Sequence, residues 1–173
     1  AVTVRPEYAG TPLYVLAGFR SAAVAAKLGL GVILGGPVAT QEAAAGVYRE
    51  HALADAPPII SSLNIAAADT AAAARDLLLP EAYAKVRAQS TGEFAPLRPA
   101  GELDMDALTG QQRRRIEEAL AHDVWGTVEG VGEELRGVGK RLGISEFVVT
   151  GDMPDVAGRA RSEELLASLQ GEN

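Results

Sequence analysis

Three residues that can hold an anionic ligand stand close together early in the chain, Gly18, Arg20 and Ser21, within Ala17-Gly18-Phe19-Arg20-Ser21. A glycine lets the backbone approach a ligand closely, a guanidinium offers a charged fork to a phosphate, and a serine at a helix start adds a hydroxyl to the N–H groups of the first turn. A plainer reading of the same residues has Ser21 as a helix cap and Arg20 as a solvated charge. Gly35-Gly36, just before Pro37, either opens a pocket or simply turns the chain. Thr150-Gly151-Asp152, at the end of an apolar run, is a further candidate, in which Asp152 suits a cap or turn better than chemistry.

Other reactive types are sparse. The chain has no cysteine, which excludes disulfides, thiolate metal sites and a cysteine nucleophile, and which fits a reducing cytosol. His51 and His122 are the two histidines; each lies near an expected helix end, where an imidazolium opposes the dipole, and no spacing suggests a metal site. Trp125 reads as a core or interface anchor, and Arg113-Arg114-Arg115, followed by Glu117 and Glu118, as a solvated helix face. A net charge of −7 argues against nucleic acid as the main partner, since phosphate backbones demand a positive field.

The 173 residues, 47% of them apolar, suffice for one domain spanning 1–173 with a substantial core. There is no uninterrupted apolar run of roughly 18 residues and no secretory pattern at the start, so a soluble, cytoplasmic protein without membrane partners is expected. The opening Ala1-Val2-Thr3-Val4-Arg5-Pro6 lacks a methionine, as expected of a terminus that was cut, processed or never the true start.

Strands and helices alternate along the chain. Apolar runs at 13–17, 32–34 and 59–67 read as strands, each bounded by Gly or Pro. Helices are expected from Ser21 to Gly29, from Thr40 through His51, and from an Asp69 cap to Leu79 before Pro80. Residues 90–110, with Gly92, Pro96, Pro99 and Gly101, read as a long loop, either lid or linker. Thr109-Gly110-Gln111-Gln112 is a capping-box sequence opening a helix to Leu120; another helix follows Thr127, a fourth strand occupies 147–150, and Asp155 starts a last helix to about Leu169. Apolar strands separated by helices of this length indicate an α/β fold with a parallel sheet covered by helices.

Four ordered landmarks give the chain a family resemblance. They are Pro12-Leu13-Tyr14-Val15-Leu16-Ala17 followed by a small-residue helix, Gly29-Leu30-Gly31 leading into Val32-Ile33-Leu34, Asn64-Ile65-Ala66-Ala67-Ala68-Asp69-Thr70, and Gly126-Thr127-Val128-Glu129 ahead of Gly143-Ile144-Ser145-Glu146-Phe147-Val148-Val149-Thr150. In this order they resemble the C-terminal half of the luciferase-like flavin-dependent monooxygenases, with Val128 in place of the family's proline. The resemblance runs from about Pro12 to Leu169 and implies βα units five to eight of a (β/α)8 TIM barrel.

It also implies a function. Ligands of such barrels meet the loops at the carboxyl ends of the strands, with phosphate held near the later ones. The resemblance places the phosphate of reduced FMN on Ala17, Gly18, Phe19, Arg20 and Ser21, and the flavin beside Gly35 and Gly36; a deazaflavin is the alternative cofactor. Phe19 stands where relatives carry hydroxyl residues. The family's catalytic histidine belongs to the first four βα units, which this sequence does not contain, so no catalytic residue is assigned. A half barrel would expose two sheet edges, so an N-terminal half barrel, in the same or another chain, or a second copy, is expected to cover it, and an oligomer with it. The leading expectation is thus a portion or subunit of a flavin-dependent monooxygenase, an oxidoreductase acting on a small organic molecule. A non-catalytic flavin-binding or structural partner of such an enzyme is the alternative.

Overall fold

The computed structural model describes residues 11–169, so the opening hexapeptide Ala1 to Pro6 lies outside the described residues. Strand β1 (Tyr14–Ala17) is followed by helix α1 (Phe19–Lys27), β2 (Gly31–Leu34), α2 (Val38–His51), β3 (Ile59–Ala67) and α3 (Ala71–Thr91). Then come α4 (Gly110–Leu120), β4 (Val124–Gly126), α5 (Val128–Leu142), β5 (Glu146–Thr150) and α6 (Val156–Ser168). The chain divides into two compact units, one running to Ser62 and including Arg141–Val148, the other made of Leu63–Lys140 and the stretch from Val149. β5 pairs with β3.

In the first unit β1, β2 and the start of β3 are parallel, in the register Ala17↔Leu34 and Leu34↔Ser61. α1 and α2 cover one face of these strands through Ala22, Ala25 and Ala26 on one helix and Ala44, Ala45 and Tyr48 on the other, all buried with Val32, Leu34 and Ile59. Side chains this small let the two helices approach closely, which is what the alanine-rich tracts contribute besides helix propensity. The opposite face carries the cross-strand row Leu16↔Ile33↔Ile60, where Leu16 is 79% exposed. Arg49, in the last turn of α2, donates to the carbonyls of Leu142 and Gly143 at the end of α5, the negative pole of that helix.

Tyr48 fastens the amino ends of two strands. Its hydroxyl lies 2.9 Å from the Leu30 carbonyl and 3.2 Å from that of Pro57, and burial raises its pKa. The phenol therefore stays protonated and donates. Tyr48→Phe deprives both carbonyls of this donor at constant ring packing, and should destabilise the chain by about 1–2 kcal/mol in urea unfolding without changing the slope of the transition.

The second unit departs from expectation in three places. α3 does not stop before Pro80 but continues to Thr91, with Thr70, not Asp69, as its cap. A mid-helix proline costs about 3 kcal/mol, yet Pro80 is itself buried, and the turns beyond it bury Ala82, Val86 and Ala88. Burying apolar side chains at about 25 cal/mol per Å² offsets the loss of one backbone bond. Second, the chain adds the short strand β4, parallel to β3 in the register Ile65↔Val124 to Ala67↔Gly126. Third, the long connection begins only at Gly92, whose φ of +75° closes α3. Within it Ala100, Leu103, Met105 and Leu108 pack into the core around Leu78, Ile116 and Leu120. At the end of β3 the Ala67 N–H donates to the buried hydroxyl of Ser162, 2.9 Å away on α6.

Candidate functional site

The register of β1 on β2 brings two of the candidate loops together. Because Ala17 pairs with Leu34, Gly18 and Gly35 follow at the carboxyl ends of adjacent parallel strands. Gly18, with φ −101° and ψ −170°, is the residue that caps α1, so the cap expected at Ser21 lies three residues earlier. Ser21 sits in the first turn and reaches back: its Oγ accepts from the Gly18 N–H at 3.0 Å and donates to the Gly18 carbonyl at 3.3 Å. The first helical bond runs from the Ala22 N–H to the Gly18 carbonyl, 3.0 Å. Hence the amides of Phe19, Arg20 and Ser21 have no acceptor inside α1.

Space is open in front of them. A Cβ built on Gly18, Gly35 or Gly36 meets no heavy atom within 4 Å, and Phe19 and Arg20 are exposed. Gly36 has a φ of +84°, which an L side chain rarely adopts, so the Gly35-Gly36 segment is a turn that leads into Pro37, the residue before α2. Three amides at the positive pole of a helix, a guanidinium and an unobstructed approach could hold an anionic group such as a phosphate. The Ser21 hydroxyl is already occupied by Gly18 and adds least.

Gln41, on α2, suits the first turn of a helix by residue type, and the stripe Gln41, Ala44, Ala45 and Tyr48 places it on the buried face. It is 1% exposed. Its Nε2 donates to the Gly36 carbonyl at 2.8 Å and the Ser62 carbonyl at 3.3 Å, while its Oε1 accepts from the buried Ser61 hydroxyl at 2.6 Å. The signal was that spacing: a polar residue on an otherwise apolar stripe.

The remaining candidates have other partners. Thr150, Gly151 and Asp152 belong to the second unit, where the Thr150 hydroxyl donates to Asn64 Oδ1 at 2.9 Å and the Asp152 N–H to Glu81 at 3.2 Å. Gly151 has a φ of +120°, and Asp155, not Asp152, caps α6. Nδ1 of His51 lies 3.0 Å from the Val47 carbonyl in its own helix. Trp125 donates its indole N–H to the Leu120 carbonyl at 3.1 Å and packs on the core, as an anchor does. Arg113, Arg114 and Arg115 are all exposed. Among the described residues no group of three or more His, Asp or Glu is placed to hold a metal ion, and no helix is long and apolar enough to cross a membrane. A cavity of 260 Å³ lies between α3 and the following loop, lined by Tyr83, Arg87, Arg98 and Asp104, and does not include the Gly18 loop.

Asp123 is half-buried and accepts from Asn64 Nδ2 at 3.1 Å. Burial raises its pKa; the Asn64 bond opposes this, Glu81 adds to it, and Lys85 and His122 act against it. An acid whose folded value lies above its unfolded value contributes stability below the unfolded value, about 3.9, and loses that contribution as pH rises through the folded one. Asp123→Asn keeps the acceptor for Asn64 and removes the charge. The variant should melt above the wild type at pH 7, and the gap should close as pH falls to about 4; a constant gap across that range would contradict the assignment.

No protein-family model matches the sequence, and no curated protein matches it significantly. Solved structures do match. The chain superposes on the crystal structure of apo-MsnO8 with a TM-score of 0.75 at 24% identity, covering 98% of this chain and 54% of that one. With the FMN complex of the oxygenating constituent of 3,6-diketocamphane monooxygenase from the CAM plasmid of Pseudomonas putida, a Type II Baeyer-Villiger monooxygenase, the TM-score is 0.61 at 15% identity, over 88% of this chain and 45% of that one. With the long-chain alkane monooxygenase LadA it is 0.57 at 17%, over 91% and 40%. At such identities the likeness is one of fold, and the chain spans about half the length of the structures it matches. The fold class is therefore the one expected, α/β with parallel strands alternating with helices as in a partial (β/α)8 barrel.

Proposed function

We propose that this chain is the C-terminal portion or subunit of a flavin-dependent, luciferase-like monooxygenase, and that its first unit carries the phosphate subsite for FMN. The observation carrying this reading is the juxtaposition of Gly18 and Gly35 on adjacent parallel strands, with the amino end of α1 rising from one of them. In support, a monooxygenase of the same fold was crystallised with FMN. The Phe19, Arg20 and Ser21 amides and the Arg20 guanidinium would hold the phosphate, and the Gly35-Gly36 turn would leave room beside the ring. The apolar row Leu16, Ile33 and Ile60 would keep water from the strand face. When bound, reduced FMN supplies the reaction with dioxygen that delivers an oxygen atom to the organic substrate. The other four βα units would come from an N-terminal half barrel.

A comparison of FMN with riboflavin tests the subsite, because the two differ only in the phosphate. FMN should bind at least about tenfold more tightly, one such factor being 1.4 kcal/mol. Equal binding, or none, would remove the subsite. A deazaflavin that protects the chain from heat better than FMN would change the cofactor.

The engagement of the Ser21 hydroxyl by Gly18 favours a second reading, a non-catalytic partner of such an enzyme. Oxygen consumption by the assembled protein with reduced FMN separates the two, since a purely structural subunit would leave it unchanged when its Arg20 is replaced.

A further inference from the structure

Gln41 bonds the Gly36 and Ser62 carbonyls at the point where the ladder between β2 and β3 gives out. The register of these strands closes with Leu34↔Ser61, and the next residues are Gly35 and Ser62. Beyond that rung one side-chain amide bridges the Gly36 and Ser62 carbonyls, at 2.8 and 3.3 Å. Its oxygen is held in turn by the Ser61 hydroxyl at 2.6 Å, so the amide cannot rotate without losing bonds on both sides. Burying such a group among Ala44, Ala45 and Leu34 costs stability unless every polar atom is paired, and here every one has a partner. The Gly35-Gly36 turn itself has little else to hold it. No atom would touch a Cβ at either glycine, and Gly36 lies at a φ of +84°.

We infer that Gln41 is a positioning residue: it ties the Gly35-Gly36 turn to β3 and so sets how the turn borders a flavin ring, without touching the ligand. This rests on the flavin reading above, and the test keeps the two apart.

The informative variant is Gln41→Met combined with Ser61→Ala, which preserves the length at 41 and avoids a buried hydroxyl without an acceptor. Amide hydrogen exchange is measured on peptides covering 34–40 in the 173-residue chain without ligand, and FMN and riboflavin are titrated separately. Exchange across 35–38 should accelerate by about tenfold or more while peptides of α1 are unaffected. FMN and riboflavin should weaken by a common factor, because the ring end is disturbed and the phosphate end is not. Unchanged exchange at 35–38 overturns the assignment whether or not flavin binds. Accelerated exchange with undiminished flavin affinity also overturns it, leaving Gln41 a purely structural residue. A wild-type chain that binds neither flavin overturns the functional reading and the ligand half of this inference together, and accelerated exchange would then still assign Gln41 to the turn.

Discussion

An Arg20→Ala variant should bind FMN about tenfold to a hundredfold more weakly than the wild type and riboflavin equally well. A hydrogen bond to a charged group contributes about 1.5–3 kcal/mol, and each 1.4 kcal/mol is a factor of ten. Arg20 is exposed, so the loss should sit toward the lower end and shrink with added salt, since screening acts over about 8 Å at physiological ionic strength. The three amides of α1 remain in the variant and keep part of the preference for phosphate. Flavin fluorescence titrations at two salt concentrations read all of this directly. A loss of riboflavin affinity as large as the loss for FMN would place Arg20 away from the phosphate.

The second large effect is on folding. Leu34→Ala should cost about 2–5 kcal/mol, the range for emptying a well-packed leucine site, against a total stability of about 5–15 kcal/mol for a domain of ordinary size. Leu34 is fully buried, pairs with Ala17 on one side and Ser61 on the other, and ends the strand that delivers Gly35. Its neighbours Ala44 and Ala45 are too short to fill the void. A midpoint in urea lowered with an unchanged slope is the expected signature, and a cost under 1 kcal/mol would show that the helices close over the gap.

The alternation of strands and helices could be read from the chain because buried parallel strands and alanine-rich helices leave opposite marks, short apolar runs and long propensity-rich tracts. What misled was local. Ser21 is a favoured cap by type, but Gly18 has the extended backbone, and the serine does its capping from inside the first turn. Pro80 marks a helix end by its own chemistry and is overridden by the apolar groups buried beyond it. β4 is three residues long, shorter than any periodicity can register, and exists because Ile65 to Ala67 present a backbone edge to it. Of the candidate site, the sequence offers the glycines and the arginine by type and spacing, and the register of β1 on β2 adds that Gly18 and Gly35 follow paired residues. The burial of Gln41 was not legible, because an amide on a helix reads as solvent-facing until the stripe of Ala44, Ala45 and Tyr48 is counted around it.

Trp125 is the one tryptophan of the chain, half-buried in the second unit with its indole N–H on the Leu120 carbonyl. Emission excited at the red edge of the protein band will therefore report the loosening of the second unit's core. Circular dichroism sums over every helix, so a midpoint seen by the indole that differs from the dichroic one would reveal that the two units let go separately.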